Sequence, residues 1–328
     1  MDIIFHIGLF KCGSSTLQNQ IFPYWPGFIG TSRTLTPKAN FGKQFENFSP
    51  VFGRTWFDAS QAMQWKQKVM DFAELKEPGC IILSNENLAS NGAGRSMPIV
   101  ESIARFQSEI WTQGRVKVVI VLRNQIQRLG SIYAQLSHSR FYAGQSDFES
   151  FCESYIRGKN GSNLLYSAWI NALWSAFGSE NVKVMFIEEF DHLQCWQDLI
   201  EFCGSETIDA STLLKSAGRK SNLRSQGEGK WAIRPLELDR YARSVSTVLL
   251  NRASNPIGQK CHSKILNEVA FWSVRFGLAC AKPIRGGARE QFIVASKSVS
   301  RLVTEFCRSD NQKLEHVLGR DLRSLGYP

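Results

Sequence analysis

The chain has 328 residues, 43% hydrophobic and 21% charged, which excludes a disordered or fibrous protein and leaves room for one large α/β domain or two. Its formal net charge of +10 (pI ≈ 9.3) favours a polyanionic partner, substrate or cofactor. The eight cysteines, at 12, 80, 152, 195, 203, 261, 280 and 307, form no C-x-x-C pair, and there is neither a basic apolar leader nor an apolar run of about 18 residues; together these predict a soluble, cytoplasmic protein without a zinc ribbon, disulfide framework or membrane span.

Four short β-branched or aromatic runs read as strands covered on both faces: Asp2–Gly8, Gly79–Glu86, Val116–Arg123 and Val182–Glu189. Helical periodicity separates them over Ser14–Ile21, Asp58–Glu74, Pro98–Thr112, Gln125–His138, Phe148–Arg157 and Leu164–Phe177. A further helix follows Asp191, with Leu193, Trp196, Leu199 and Ile200 on its apolar face. This alternation predicts an α/β fold, a parallel doubly wound sheet with flanking helices. From about Gly204 no clear strand is expected. Gly218–Lys230 (GRKSNLRSQGEGK) reads as a basic surface loop, Phe271–Leu278 and Phe292–Phe306 as helical stretches, and Lys282–Glu290 (KPIRGGARE) as the break between them. The expectation is one domain, with residues 1–205 as its α/β core and 206–328 as a loop-rich, helical C-terminal portion.

In an open parallel sheet, ligands bind beyond the carboxyl ends of the strands. The stretch FHIGLFKCGSSTLQ, Phe5 to Gln18, runs from the first strand into a helix at that position. Gly13 can adopt positive φ, the helix start offers backbone N–H groups, Lys11 adds a mobile charge, and Ser14, Ser15 and Thr16 add hydroxyls. That is the chemistry of a loop closing on a phosphate or sulfate. A plain strand–turn–helix with Ser14 or Ser15 as N-cap is the alternative. The pattern departs from the nucleoside-triphosphatase loop G-x-x-x-x-G-K-[ST], because lysine here precedes the second glycine.

A second constellation, Val119–Arg140 (VIVLRNQIQRLGSIYAQLSHSR), runs from the third long strand into its helix. Arg123 stands at the strand end, where its guanidinium could fork onto a phosphate. Asn124, Arg128, Ser131, Gln135 and His138 recur as a polar stripe, which could face the strand end or simply be a solvated helix face.

Together the two segments resemble the cofactor-binding signatures of sulfotransferases that use 3′-phosphoadenosine 5′-phosphosulfate (PAPS). The resemblance implies that a loop of the type K-x-G-[ST]-[ST] holds the 5′-phosphosulfate through Lys11, Cys12, Gly13, Ser14, Ser15 and Thr16. It implies that Arg123 and, eight residues on, Ser131 hold the 3′-phosphate. The likeness is to bacterial-type members and extends to ILSNENL, SIYAQLSHSRFYAGQSDFESF, FGSENVKVMFIEEF and the tail FCRSDNQKLEHVLGRDLRSLGY. It covers about the first 205 residues and the last 30 or so, but not 225–295, which would carry acceptor-specific surface. Cys12 departs from the Thr or Ser commoner there. The basic segment after Gly218 would place Arg219 or Lys220 over the 3′-phosphate, or be a solvated loop.

Sulfuryl transfer to a hydroxyl needs in-line placement, neutralisation of the leaving phosphate and a base. Lys11 suits the leaving-group oxygen. The resemblance to sugar sulfotransferases makes Glu86, at the second long strand's carboxyl end, the base; a surface carboxylate is the plainer reading of it. His6 lies in a buried strand and reads as structural, and His138 lies toward the far end of its helix. No metal-ligand spacing is present, and the resemblance implies no metal. The leading expectation is therefore a PAPS-dependent sulfotransferase acting on a hydroxyl acceptor, a carbohydrate first, with no nucleic-acid partner. The alternatives are a kinase using ATP and magnesium, with FIEE (Phe186–Glu189) as its one acidic strand end, and a non-catalytic nucleotide- or polyanion-binding protein.

Overall fold

The structure is a computed structural model that describes residues 1–30, 59–76, 79–85, 97–140, 143–205, 207–218, 229–233, 242, 245–246, 264–280 and 291–328. The chain divides into two compact units. One comprises Met1–Arg128, Tyr155–Asn222 and Arg301–Pro328, the other Leu129–Ser154 and Leu223–Ser300.

The first unit is built on a five-stranded, wholly parallel sheet of β1 (Asp2–Ile7), β2 (Phe28–Gly30), β3 (Cys80–Asn85), β4 (Val116–Leu122) and β5 (Val182–Phe186), in the order β2-β3-β1-β4-β5. Parallel strands need covered faces, and the apolar runs supply them: Ile3, Ile4, Phe5 and Ile7 of β1 and Val118 to Leu122 of β4 are buried. The flanking helices are α1 (Ser14–Thr16), α2 (Ala59–Lys76), α3 (Met97–Glu109), α4 (Gln125–Leu136, shared between the units), α5 (Gln145–Arg157, also shared), α6 (Tyr166–Phe177), α7 (Leu193–Cys203), α8 (Ala210–Ala217) and the long α10 (Lys297–Leu318), most of which lies in this unit. From β3's face Phe106 of α3 meets Phe5 edge-on at 5.9 Å and Trp65 of α2 at 5.5 Å. The four expected strands are present, and the helices expected before residue 205 fall within a few residues of those observed, whereas Phe271–Leu278 is part of the longer Lys264–Cys280 and Phe292–Phe306 is helical only from Lys297, in the longer Lys297–Leu318. β2 went unforeseen because three residues carry no periodicity. The helix α8 was also unforeseen, although Asp209 caps it by accepting from Ser211 N (3.2 Å) and Thr212 N (3.0 Å).

The strand order matters for the site. From the central β1 the chain leaves for the β2 side, returns through β3, and then crosses to β4 and β5. Its direction reverses between β1 and β4, so a crevice opens outside their carboxyl ends.

The second unit holds the later part of α4, most of α5, the helix α9 (Lys264–Cys280) and an antiparallel ribbon of β6 (Lys230–Ile233) and β7 (Gln291–Val294). This ribbon corrects the expectation of no strand after Gly204, and Phe292 lies in it rather than in a helix. An apolar run as short as QFIV has no period that separates strand from helix; the helix begins only at Lys297, where Ser296 Oγ accepts from Val299 N at 3.3 Å. Gln145 brackets the ribbon's edge, accepting from Val294 N (2.9 Å) and donating to Val294 O (3.0 Å). Gly130 is in mid-helix for a reason: a Cβ there would lie 2.3 Å from the buried Trp231 ring. Among the described residues no helix is long and apolar enough to cross a membrane.

One buried polar group of the core has a thermodynamic consequence. His6 lies wholly inside the sheet, and burial lowers its pKa from 6.5 to about 3, so it is neutral in the native state. Between pH 6.5 and 3 the unfolded chain binds a proton that the native chain refuses, so stability falls as pH falls through that window. His6→Gln should flatten the stability profile there by up to about 1.4 kcal/mol per pH unit. Urea unfolding of both proteins between pH 7 and 4 checks this; parallel profiles would show that His6 is not held neutral.

Candidate functional site

The loop after β1 is shaped by a tight turn and a left-handed glycine. Cys12 N donates to Leu9 O (3.1 Å), closing a turn whose third residue, Lys11, has φ 67. Lys11 is the one non-glycine residue at positive φ among the described residues, a conformation that glycine normally occupies and that costs a side chain about 1–2 kcal/mol. Gly13 follows at φ 83, ψ 6, and starts α1 by accepting from Thr16 N (2.9 Å) and Leu17 N (3.2 Å). A Cβ on Gly13 would come within 3.1 Å of both Ile187 Cδ1 and Phe190 Cε2, just past β5. The helix widens at once into a π-turn, Leu17–Ile21.

Helix starts leave backbone donors without intrahelical acceptors. Here the N–H groups of Gly13, Ser14 and Ser15 meet no acceptor among the described residues. Ser14 Oγ is likewise buried without a partner, while Ser15 is exposed and Thr16 half-buried. Neither serine caps the helix through its side chain, which removes the plain N-cap explanation. An orphaned hydroxyl beside three orphaned N–H groups is the donor set that a tetrahedral oxyanion satisfies.

The end of β4 closes the crevice. Arg123, half-buried, donates through Nη1 to Lys11 O at 3.1 Å. Asn124 caps α4: its Oδ1 accepts from Ile126 N (2.9 Å) and Gln127 N (3.2 Å), and its amide donates to Gly326 O of the returning tail. Asn124 N donates to Glu188 Oε1 (2.8 Å). Burial raises the Glu188 pKa, opposed by that N–H and by the Arg123 charge, and its Oε2 is buried without a partner among the described residues. Of the two acids in FIEE, Glu188 is thus committed to the base of α4, and Glu189 pairs with Arg320. Burial raises the Cys12 thiol as well, against the charges of Arg128 and Arg123, which disfavours its thiolate form.

Within the first unit, then, the structure brings together Lys11, Cys12, Gly13, Ser14, Ser15, Thr16 and Arg123. Ser131 belongs to the second unit, half-buried on α4. Glu86, Arg219 and Lys220 lie outside the described residues. The polar stripe on α4 is not a solvated face at its start, since Asn124 and Arg128 are 7% and 2% exposed. Sequence reasoning placed Arg128 only in a polar stripe and Glu188 only in the acidic strand end FIEE, and gave no role to Tyr166 or Tyr327. The signal for Arg128 was its place in that stripe, four residues after Asn124. Among the described residues no group of three or more His, Cys, Asp or Glu side chains is arranged to hold a metal ion.

No protein-family model matches the chain. No curated protein matches it either. Among solved structures it is similar to a sulfotransferase from Alicyclobacillus acidocaldarius at 18% sequence identity and a TM-score of 0.43, over 67% of this chain and 85% of that one.

The two positive-φ positions of the loop should answer substitution oppositely. Lys11→Gly should stabilise the protein by about 1 kcal/mol by relieving the left-handed strain. Gly13→Ala should destabilise it by about 2 kcal/mol through the same strain and the contacts with Ile187 and Phe190. Urea midpoints of the two variants test this, and a destabilised Lys11→Gly would show that the turn stores no strain.

Proposed function

We propose that the protein is a sulfotransferase that moves a sulfuryl group from PAPS to a hydroxyl of an acceptor, a carbohydrate first, in the cytoplasm. The observation that carries the reading is the set of orphaned donors at Gly13, Ser14 and Ser15, next to Lys11 and with Arg123 on the neighbouring strand end. PAPS supplies an activated sulfuryl group on a phosphate leaving group.

In this reading the N–H groups of residues 13–15 and Ser14 Oγ hold the oxygens of the 5′-phosphosulfate, their positions fixed before binding. Lys11 places its ammonium where negative charge grows on the leaving phosphate as the bond from sulfur to the phosphate oxygen breaks. Arg123 takes the 3′-phosphate, and the resemblance assigns Ser131, Arg219 and Lys220 to the same group. Glu86 accepts the acceptor hydroxyl's proton as the new sulfur–oxygen bond forms, so that charge is passed without a metal.

Calorimetric titration with adenosine 3′,5′-bisphosphate, against ATP with magnesium, tests the reading. The bisphosphate should bind, and Lys11→Ala and Arg123→Ala should each weaken it roughly 10–100-fold, the worth of one charge-assisted contact. Binding of ATP–magnesium alone would replace this reading with a kinase. Glu86→Gln separates catalysis from binding: bisphosphate affinity should stay within about twofold while turnover with PAPS falls by about 10²-fold or more. Undiminished turnover in that variant would remove Glu86 from the base role.

A further inference from the structure

Arg128 is charged and 2% exposed, and its hydrogen-bond partners among the described residues are all neutral. It sits one turn into α4, and helical side chains lean toward the N-terminus of their helix, which carries its guanidinium back under the loop after β1. There Nε donates to Phe10 O at 3.0 Å, and Nη1 donates to Asn163 O and to Tyr166 Oη, the latter at 3.4 Å. The Tyr166 ring lies 5.7 Å from the guanidinium carbon, and Tyr166 Oη donates in turn to Arg123 O at 2.7 Å. Among the described residues no carboxylate reaches Arg128. Burying an unpaired cation is expensive, and carbonyl and phenol oxygens offset only part of that cost.

The loop's geometry shows what the cation does. Phe10 and Lys11 are consecutive, and their carbonyls are held by Arg128 and Arg123 respectively. In a trans peptide the carbonyl and the next N–H point to opposite sides, so fixing two successive carbonyls fixes the twist of the peptides that lead into Gly13. We propose that Arg128 is a positioning residue for the anion site: it holds Phe10 O so that Lys11 keeps its left-handed turn, and its uncompensated charge is balanced by the anion bound at residues 13–15. The proposal rests on the function reading above, and it adds a residue that touches neither the anion nor the acceptor.

The test uses the full chain and adenosine 3′,5′-bisphosphate as probe, with two readouts: the dissociation constant by calorimetry and the midpoint of thermal unfolding with and without ligand. Arg128→Met, close in volume but uncharged, should bind roughly 30-fold more weakly, and the ligand-induced rise in midpoint should shrink to match. Arg128→Lys keeps the charge but lacks the fork that serves Phe10 and Asn163 together, so it should recover part of the loss and bind within about tenfold of wild type. A role limited to holding the fold would lower the ligand-free midpoint yet leave the folded protein's affinity as in wild type, and that result overturns the proposal. Should Arg128→Met fail to fold, Arg128→Lys decides alone, wild-type affinity in it counting against the positioning role. No binding by the wild-type chain overturns the function reading and this inference together; binding that both variants retain in full overturns this inference only.

Discussion

The hydrogen bonds from Arg128 and Arg123 to the carbonyls of Phe10 and Lys11 tie the end of β4 to the loop that follows β1, and the remaining geometry of the crevice hangs on that tie. Adjacent parallel strands alone place β1 and β4 side by side, with Ile7 opposite Ile120. They do not dictate how the backbone turns after it leaves the sheet. A loop of Leu, Phe, Lys and Cys has no intrinsic reason to place lysine at positive φ; glycine would do so at no cost. The conformation persists because two guanidiniums over-determine it, which is how backbone strain survives at functional sites.

Behind the loop the protein has assembled buried polar groups of both signs. Glu188, with its pKa raised by burial, accepts from Asn124 N in the β4–α4 connection; Tyr327, buried with its hydroxyl unpartnered among the described residues, packs edge-on against Tyr166 (6.4 Å) and Phe186 (5.7 Å). The backbone on either side of Tyr327 is engaged as well, Gly326 O by Asn124 and Pro328 O by Asn311 at 2.7 Å, while Asn311 Oδ1 accepts from Gln125 at 2.7 Å. Residues from the last stretch of the chain thereby brace the first turn of α4, which follows Arg123 and presents Arg128. A polar network of this kind is worth keeping only when nearly every member is satisfied, since a half-satisfied one costs more than an apolar core. The members left unsatisfied, Ser14 Oγ, Glu188 Oε2 and Tyr327 Oη, belong to the loop or to the residues that back it.

This also explains what was legible in the sequence. β1, β3, β4 and β5 announce themselves because strands buried on both faces must be unbroken apolar runs, and the loop after β1 stands out because lysine, glycine and hydroxyl residues follow such a run directly. The ribbon of β6 and β7 was hidden: its strands pair Trp231 with Ile293, far apart in sequence, and four-residue segments carry no usable period. Arg128 was visible only as one member of a polar stripe. Its role depends on three acceptors, Phe10, Asn163 and Tyr166, that come from two other segments of the chain, and no spacing rule along α4 encodes them. Periodicity tells which residues share a face; it does not tell which carbonyls that face will meet.

A buried polar trio sets the other flank of the loop in the same way. His6 Nδ1 and Ser84 Oγ share a hydrogen bond at 2.6 Å, and Gln18 Nε2, from the π-turn, donates to the same Ser84 oxygen at 3.0 Å. His6 and Ser84 are register partners on β1 and β3. A slip of β3 by one residue against β1 would turn Ser84 to the opposite face and leave His6 and Gln18 without their shared partner in an apolar interior, so the trio penalises that slip. Fixing that register fixes how far β3 runs beside β1 before it ends at Asn85, and Gln18 ties the helix that closes the loop to the same point. The loop is thus held from the β4 side by carbonyls on guanidiniums and from the β3 side by an amide on a hydroxyl. Held from both sides, the loop keeps its backbone donors in place.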